Sequence, residues 1–248
     1  MPLPVRFLTF SLMLSTPALL LAAGQSVEYQ EGGAPYEGYY VSAGKDAPLV
    51  ILLHDWDGLT NYEIQRSEML AQAGYSVFAA DLFGKGIRPT EMKDKLQHTG
   101  ELHKDRAKMR QVIQAAVNKA GELGGNVKNA ITMGYCFGGA AVLEYARSGA
   151  PMKGFVTFHG GLKTPEDQDY SQVKAPVLVL HGAADTYVTM DQFAALTVAL
   201  EAAKIPHEMI AYGGAPHAFT VFGEERYQET ADKKSWARFL DFLKERTR

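Results

Sequence analysis

The sequence feature that most constrains the fold is a glycine-flanked cysteine in residues 134–139, which read GYCFGG. Residues 129–133, just before it, are short and apolar, as a buried parallel strand would be. Residues 140–146, just after it, are rich in helix formers. Glycines on both sides suit a tight turn, because the helix then approaches the strand with no Cβ in the way. The segment therefore predicts that Cys136 is presented on a nucleophile elbow.

This position would also change the chemistry of the thiol. A helix N-terminus carries partial positive charge and unsatisfied N–H groups, which favour the thiolate of Cys136 over its thiol. The N–H of Phe137 would point to the place where an oxyanion develops. The alternative is that Cys136 is a small, buried and inert residue, which is the commonest fate of a lone cysteine. The six residues alone do not decide between these interpretations.

Strand-like and helix-like patterns alternate along the rest of the chain. Apolar residues recur at helical spacing from Met109 to Ala120, and Thr60 with Glu63 forms the capping box of another helix. Residues 81–100 are polar and contain several glycines, which indicates a loop. The predicted strands are residues 27–30, 39–42, 48–53, 75–80, 129–133, 154–159, 176–180 and 207–212. This alternation predicts an α/β fold, with a mostly parallel central sheet and helices on both faces.

Length and composition fit one ordinary globular domain. A chain of 248 residues can form one sizeable core, and no repeat or linker divides residues 25–248. The formal net charge of -3 gives no overall basic character, so we expect no nucleic-acid partner. The single cysteine cannot form an intramolecular disulfide. We expect a monomer.

Residues 1–24 have the outline of a secretory signal peptide. A short start with one positive charge precedes an apolar run, and small residues at 22–24 suit cleavage. The alternative is an uncleaved membrane anchor, but the run is short for a span and Pro17 interrupts it. We therefore expect a periplasmic or secreted protein whose mature chain, from about residue 25, has no membrane span.

Two loops after predicted strands carry the partners that a nucleophilic cysteine needs. Asp185 follows the strand at 176–180, and His217 follows the strand at 207–212. Function in open α/β sheets gathers at the carboxyl ends of strands. The chain order nucleophile, acid, base is the order of α/β-hydrolases. Alone, Asp185 could cap a helix and His217 could be a surface histidine; together they predict a Cys-His-Asp triad in which His217 takes the thiol proton and Asp185 orients the imidazole.

Besides the loops that carry Cys136, Asp185 and His217, a fourth loop, at residues 54–59, follows the predicted strand at 48–53. In α/β-hydrolases the second oxyanion donor comes from the loop at this place, so the N–H of Trp56 is the candidate. The Trp56 side chain could instead form a wall of the pocket or belong to the core.

The four loops together resemble the dienelactone hydrolase family, and the similarity runs from about Tyr36 to the C-terminus. Members of that family are α/β-hydrolases that open lactone or ester bonds with a Cys-Asp-His triad. The resemblance implies a small ester or lactone as substrate. It also implies Cys136 as nucleophile, His217 as base, Asp185 as orienting acid, and Trp56 and Phe137 as oxyanion donors.

Three positions depart from the family pattern. Asp55 stands where well-known members have a glutamate beside the resting thiol, which is thought to help govern when the thiol ionises. Two arginines that bind the prototype's substrate carboxylate correspond to Lys85 and Val221, with Arg88 close to the first. Lysine keeps the charge without the bidentate fork, and valine keeps neither. Asp55, Lys85 and Arg88 are therefore candidates for modulating the thiol or binding substrate, and dienelactone itself is not the expected substrate.

The remaining polar residues predict no cofactor. The other histidines do not form a zinc or iron pattern, so we expect no metal. The glycine-rich turns lack both the P-loop Lys-Ser/Thr and the dinucleotide fingerprint. Two alternatives to a hydrolase remain. One is a redox sensor that forms a sulfenic acid on Cys136, although the sequence has no second cysteine to resolve it. The other is a hydrolase-like protein that binds a ligand without turnover.

Overall fold

A computed structural model describes residues 23–247, so the predicted signal peptide lies almost wholly outside the described residues. The strands are β1 Gln25–Glu31, β2 Ala34–Val41, β3 Pro48–Leu53, β4 Ser76–Ala80, β5 Asn126–Tyr135, β6 Gly154–Phe158, β7 Val177–Gly182 and β8 His207–Tyr212. The helices are α1 Asn61–Gln72, α2 Met92–Lys104, α3 Arg106–Glu122, α4 Phe137–Arg147, α5 Met190–Ala202 and α6 Glu229–Arg246. None of the helices in the described part is long and apolar enough to cross a membrane.

All eight strands belong to one sheet, in the order β1-β2-β4-β3-β5-β6-β7-β8. The β1-β2 and β2-β4 pairs are antiparallel, and every pair from β4 through β8 is parallel. The prediction of an α/β fold with a mostly parallel sheet is therefore confirmed. Because parallel strands share a direction, the loops that follow β3, β5, β7 and β8 all emerge at the same edge.

The sheet is buried on both faces, as continuous apolar strands predict. In β3, Leu49, Ile51 and Leu53 belong to one hydrophobic cluster, whereas Val50 and Leu52 belong to the other. Residues of α3, α4 and α5 complete the first cluster, and residues of α1 and α6 complete the second. The helices therefore cover both faces. The predicted capping box of α1 is also present, with Thr60 and Glu63 bonded reciprocally.

The prediction of a loop throughout residues 81–100 is wrong, because α2 begins at Met92. Only Leu102 of this helix is buried, and its two other large apolar side chains, Met92 and Leu96, are mostly exposed. With only these three among thirteen residues, the helix carries a short and weak form of the apolar stripe that reveals a helix in a sequence. It matters to function because one side of α2 faces the pocket described below.

The glycines around Cys136 let α4 pack directly on the sheet. A Cβ at Gly138 would lie 2.2 Å from the carbonyl oxygen of Leu53, and one at Gly134 would lie 2.4 Å from the Gly138 backbone. Both contacts involve backbone atoms, which cannot rotate away as a side chain can. Hence these glycines set how closely the start of α4 approaches β3 and β5.

We predict that Gly138→Ala destabilises the protein by about 3 kcal/mol or more, because the new methyl group overlaps main-chain atoms. Gly100→Ala is the matched control, since no atom lies within 4 Å of a Cβ added there, in the middle of α2. It should leave the stability unchanged or raise it by up to about 1 kcal/mol. Urea denaturation measures both changes. Equal stability of the two variants would contradict the close approach of α4.

Candidate active site

Cys136 lies on the turn between β5 and α4, with φ 49° and ψ -111°. Positive φ is uncommon for a residue other than glycine and is typical of strained functional sites. The turn is held by a hydrogen bond from the Cys136 N–H to the carbonyl oxygen of Phe158, at 3.1 Å, and α4 begins at the next residue. This is the strand-turn-helix geometry that the glycine-flanked segment predicts.

The structure brings Cys136, His217 and Asp185 into one hydrogen-bonded line. His217 Nε2 lies 3.1 Å from Cys136 Sγ, and His217 Nδ1 lies 2.7 Å from Asp185 Oδ2. An ionised carboxylate only accepts, so Nδ1 carries the imidazole proton and Nε2 is free to accept one from the thiol. The three residues thus have the geometry of a nucleophile, a base and an orienting acid.

Asp185 is fixed by its own loop as well as by the histidine. Its Oδ1 accepts hydrogen bonds from the N–H groups of Tyr187 and Val188, each at 2.9 Å. Burial would raise the pKa of Asp185, but the hydrogen bonds from His217 and Val188 outweigh it and hold that pKa below its ordinary value. The carboxylate therefore stays ionised beside the imidazole.

The surroundings of Cys136 oppose the thiolate that the start of α4 is expected to favour. Burial raises the pKa of the thiol far above its ordinary value, and the nearby carboxyl groups of Asp55 and Asp185 raise it further. The N–H of Phe137 bonds to the sulfur and lowers the pKa, but it offsets only part of that rise. The cost of placing a charge in this site is thus larger than the help from the start of α4, which favours the neutral thiol over the thiolate.

Both predicted oxyanion donors lie at the pocket that Cys136 faces. The N–H of Phe137 is directed at the sulfur, as its effect on the thiol shows. Trp56 stands in the loop after β3, and among residues 23–247 its N–H has no hydrogen-bond acceptor. Trp56 and Phe137 therefore line the same pocket as the thiol.

The pocket has a volume of about 350 Å³ and a mostly apolar lining. The loops after β3, β5, β7 and β8 contribute to it, and Val221 provides an apolar wall. Helix α2 provides another wall with Lys95, Thr99 and His103. The sequence interpretation missed these three residues because it missed the helix.

Asp55 lies close enough to the thiol for its carboxyl group to affect the thiol pKa. It lines the pocket, and its Oδ1 accepts a hydrogen bond from the Asp57 N–H at 3.1 Å. Burial raises the pKa of Asp55 well above its ordinary value, and the carboxyl groups of Asp57 and Glu63 raise it further. The carboxyl group of Asp55 therefore ionises less readily than one in water.

The structure does not bring Lys85 or Arg88 to the pocket. The Lys85 ammonium forms a surface ion pair with Glu28. The Arg88 guanidinium donates to the carbonyl oxygens of Leu59 and Ile87, so it holds a loop together.

The cations at the pocket are Lys95 and Arg226 instead. Lys95 Nζ lies 3.8 Å from Asp57 Oδ2 and 5.2 Å from the centre of a Trp56 ring. No local pattern in the sequence marks Arg226, which lies in the irregular segment between β8 and α6.

A buried arginine supports the loop that carries His217, and sequence interpretation missed it too. Arg66 is 1% exposed, forms an ion pair with Asp232, and donates to the carbonyl oxygen of Thr220 at 2.7 Å. The Thr220 hydroxyl lies 2.8 Å from His159 Nε2, and the His159 ring is 5.3 Å from that of His217. Arginine on an amphipathic helix usually reads as solvent-exposed, so only the fold reveals this network.

Comparison with known proteins agrees with this geometry. The chain matches the dienelactone hydrolase family over residues 37–247. This protein belongs to the dienelactone hydrolase family. A Salmonella typhimurium protein with the provisional name carboxymethylenebutenolidase is 26% identical over 246 residues, which are 93% of this chain and 90% of that protein.

Two solved structures show the same fold. The one named m3DLH is 28% identical, with a TM-score of 0.83, over 91% of this chain and 98% of that one. P91, a dienelactone hydrolase-like promiscuous phosphotriesterase from metagenomic libraries, is 28% identical, with a TM-score of 0.81, over 90% of this chain and 98% of that one. The protein is thus a hydrolase of this family, with the α/β-hydrolase fold. Within residues 23–247, no group of three or more His, Cys, Asp or Glu side chains is arranged to hold a metal ion.

We predict that Asp55→Asn makes Cys136 react several-fold faster with iodoacetamide at mildly alkaline pH. The carboxyl group of Asp55 helps to raise the pKa of the thiol, so its removal should move the alkylation profile to lower pH. Asp241→Asn, an exposed change on α6, is the matched control and should leave the profile in place. A profile that does not move in the Asp55 variant, or moves to higher pH, would show that this carboxyl group does not restrain the thiol.

Proposed function

We propose that the protein hydrolyses small carboxylic esters or lactones through a covalent acyl-enzyme on Cys136. The observation that carries this proposal is the line of three side chains from Cys136 Sγ through His217 to Asp185, at 3.1 and 2.7 Å, beside a small apolar pocket. The provisional name of the Salmonella typhimurium relative, which is that of a lactone hydrolase, supports the same bond type.

In the first half of the reaction, the sulfur of Cys136 attacks the substrate carbonyl carbon while the thiol proton passes to His217 Nε2. The carbonyl oxygen becomes an oxyanion, which the N–H groups of Trp56 and Phe137 stabilise. Asp185 stabilises the imidazolium. As the tetrahedral intermediate collapses, the C–O bond breaks and His217 returns the proton to the leaving alkoxide.

In the second half, His217 takes a proton from a water molecule that attacks the thioester carbonyl. The same two N–H groups stabilise the second oxyanion. The C–S bond then breaks, the acid leaves, and the proton on His217 restores the thiol of Cys136. In a lactone the leaving alkoxide stays joined to the acyl group, so the product is a hydroxy acid.

A neutral resting thiol fits this sequence of steps. Because burial and Asp55 hold the thiol pKa high, proton transfer to His217 has to accompany attack on the substrate. Between turnovers the protonated sulfur is a poor target for oxidants, which react with thiolates. The same feature disfavours the redox-sensor alternative, since a sensor needs a thiol of low pKa.

The pocket favours small acyl groups with a largely apolar surface, although Lys95 and Arg226 also line it. Its volume is about 350 Å³, its lining is mostly apolar, and Val221 supplies an apolar wall. Lys85 is paired with Glu28 outside the pocket. Short acyl esters and unsubstituted lactones are therefore better candidates than dienelactone.

Replacement of Cys136 by alanine should lower kcat/KM for p-nitrophenyl acetate at least about 10³-fold, because it removes the group that carries the acyl intermediate. Lys85→Gln is the control and should keep the wild-type rate, since its ammonium is engaged with Glu28 away from the pocket. Release of p-nitrophenol measures both. If the alanine variant hydrolyses the ester at a rate close to that of the wild type, Cys136 is not the nucleophile.

We also propose that the chain is exported to the periplasm or beyond, on the basis of residues 1–24. Expression of the full sequence in a Gram-negative host should give a protein in the periplasmic or culture fraction whose N-terminus lies near residue 25. An intact N-terminal Met1 on protein recovered from the cytoplasm or the membrane would contradict export with cleavage.

A further inference from the structure

His54 directly follows β3, and both nitrogens of its ring are hydrogen-bonded. The residue is fully buried. Its Nε2 lies 3.0 Å from the backbone nitrogen of Leu82, and its Nδ1 lies 2.6 Å from the carbonyl oxygen of Asp55. A backbone N–H can only donate and a carbonyl oxygen can only accept. Nε2 is therefore the acceptor, and Nδ1 carries the proton and donates it to Asp55.

The ring stays neutral in this environment. Burial lowers the pKa of His54, although the charge of Asp81 and the hydrogen bond to the Asp55 carbonyl oppose the shift. The rings of Phe83 and Phe137 lie 4.6 and 6.3 Å from the imidazole, centre to centre, and limit its rotation. The position of the Nδ1–H is thus set by the end of β4 and by packing, not by the flexible loop that it contacts.

The acceptor of this hydrogen bond belongs to the same peptide unit as the N–H of Trp56. A trans peptide is planar, and its C=O and N–H point in opposite directions. The Asp55 carbonyl points to His54, which is not part of the pocket lining, whereas Asp55 and Trp56 both line the pocket. The Trp56 N–H accordingly points away from His54, and within the described part of the chain no acceptor engages it.

We propose that His54 is the positioning residue of the oxyanion hole: its Nδ1–H holds the Asp55–Trp56 peptide so that the Trp56 N–H faces the reacting carbonyl. This inference rests on the proposed function, in which that N–H stabilises the oxyanion. Of the two donors, Phe137 is held by the start of α4, but Trp56 stands in a loop with no helix to orient it. The N–H of Asp55 donates to Glu63 Oε1 at 3.5 Å and that of Asp57 to Asp55 Oδ1 at 3.1 Å, so the loop has other supports. The hydrogen bond from the fixed imidazole is the one that holds the C=O of the Asp55–Trp56 peptide itself.

Two amide variants separate this role from simple support of the fold. In His54→Asn the side-chain NH₂ can occupy the place of Nδ1 and donate to the Asp55 carbonyl, but the acceptor for Leu82 is lost. In His54→Gln the longer side chain can reach the place of Nε2 and accept from Leu82, but the donor to Asp55 is lost. Each variant keeps one of the two hydrogen bonds, so a residue that is only structural would give similar results for both.

We expect His54→Gln to lower kcat for p-nitrophenyl acetate about 10²-fold with little change in KM, whereas His54→Asn should remain within about tenfold of the wild-type kcat. Thermal unfolding shows whether both variants are folded. Alkylation of Cys136 by iodoacetamide forms no oxyanion, so it should proceed at similar rates in all three proteins and show that the thiol and His217 are intact.

A trifluoromethyl ketone provides a readout that needs no turnover. Its hemithioketal adduct with Cys136 places an oxyanion in the hole, so the adduct should be weakened in the Gln variant by about the factor lost from kcat. Equal losses in the Asn and Gln variants, or an alkylation rate that falls together with kcat, would overturn the positioning role. Failure of the wild-type protein to form the adduct would overturn it too.

The two proposals fail in different ways. If Cys136→Ala still hydrolyses the ester, the acyl-enzyme mechanism is wrong whatever His54 does. If Cys136 is essential but the two His54 variants behave alike, the mechanism stands and only the role of His54 is wrong.

Discussion

The imidazole of His217 is the group on which the proposed chemistry depends, because it bonds to a sulfur on one side and to a carboxylate on the other. Those partners come from different loops, one after β5 and one after β7, while the histidine itself follows β8. A parallel sheet places the three loop ends at one edge, because its strands share a direction and the crossover connections return the chain to the opposite edge. The register of β5 through β8 is thus as important to the site as the three side chains.

The electrostatics around Cys136 suit the coupled proton transfer of the proposed mechanism better than a standing thiolate. The start of α4 and the Phe137 N–H favour negative charge at the sulfur, but burial and the carboxyl groups of Asp55 and Asp185 oppose it and prevail. The opposing groups also serve the reaction, because Asp185 holds the imidazole that receives the proton.

Residue patterns predicted much of the fold and the centre of the site. The apolar runs of the parallel strands, the glycines around Cys136 and the polar residues after β7 and β8 each have a local physical cause, so they can be recognised in one sequence. Helix α2 has few apolar residues, because its outer face is solvated and its inner face lines a pocket with polar side chains. The direction of a long side chain such as Lys85 depends on a partner 57 residues away, Glu28, and no local pattern reveals that. The ionisation state of the thiol also escaped prediction, because burial by distant residues outweighs the local effect of the helix.

The central claim is that Cys136 carries the acyl group during turnover. The most direct measurement is to mix the protein with p-nitrophenyl acetate, quench with acid within the steady state, and locate the acetyl group by mass spectrometry of the peptides. The account predicts one acetyl group, on the peptide that contains Cys136, in a fraction that decays after the substrate is consumed. Product formation with an unmodified Cys136 peptide, or with the acetyl group on another residue, would contradict it.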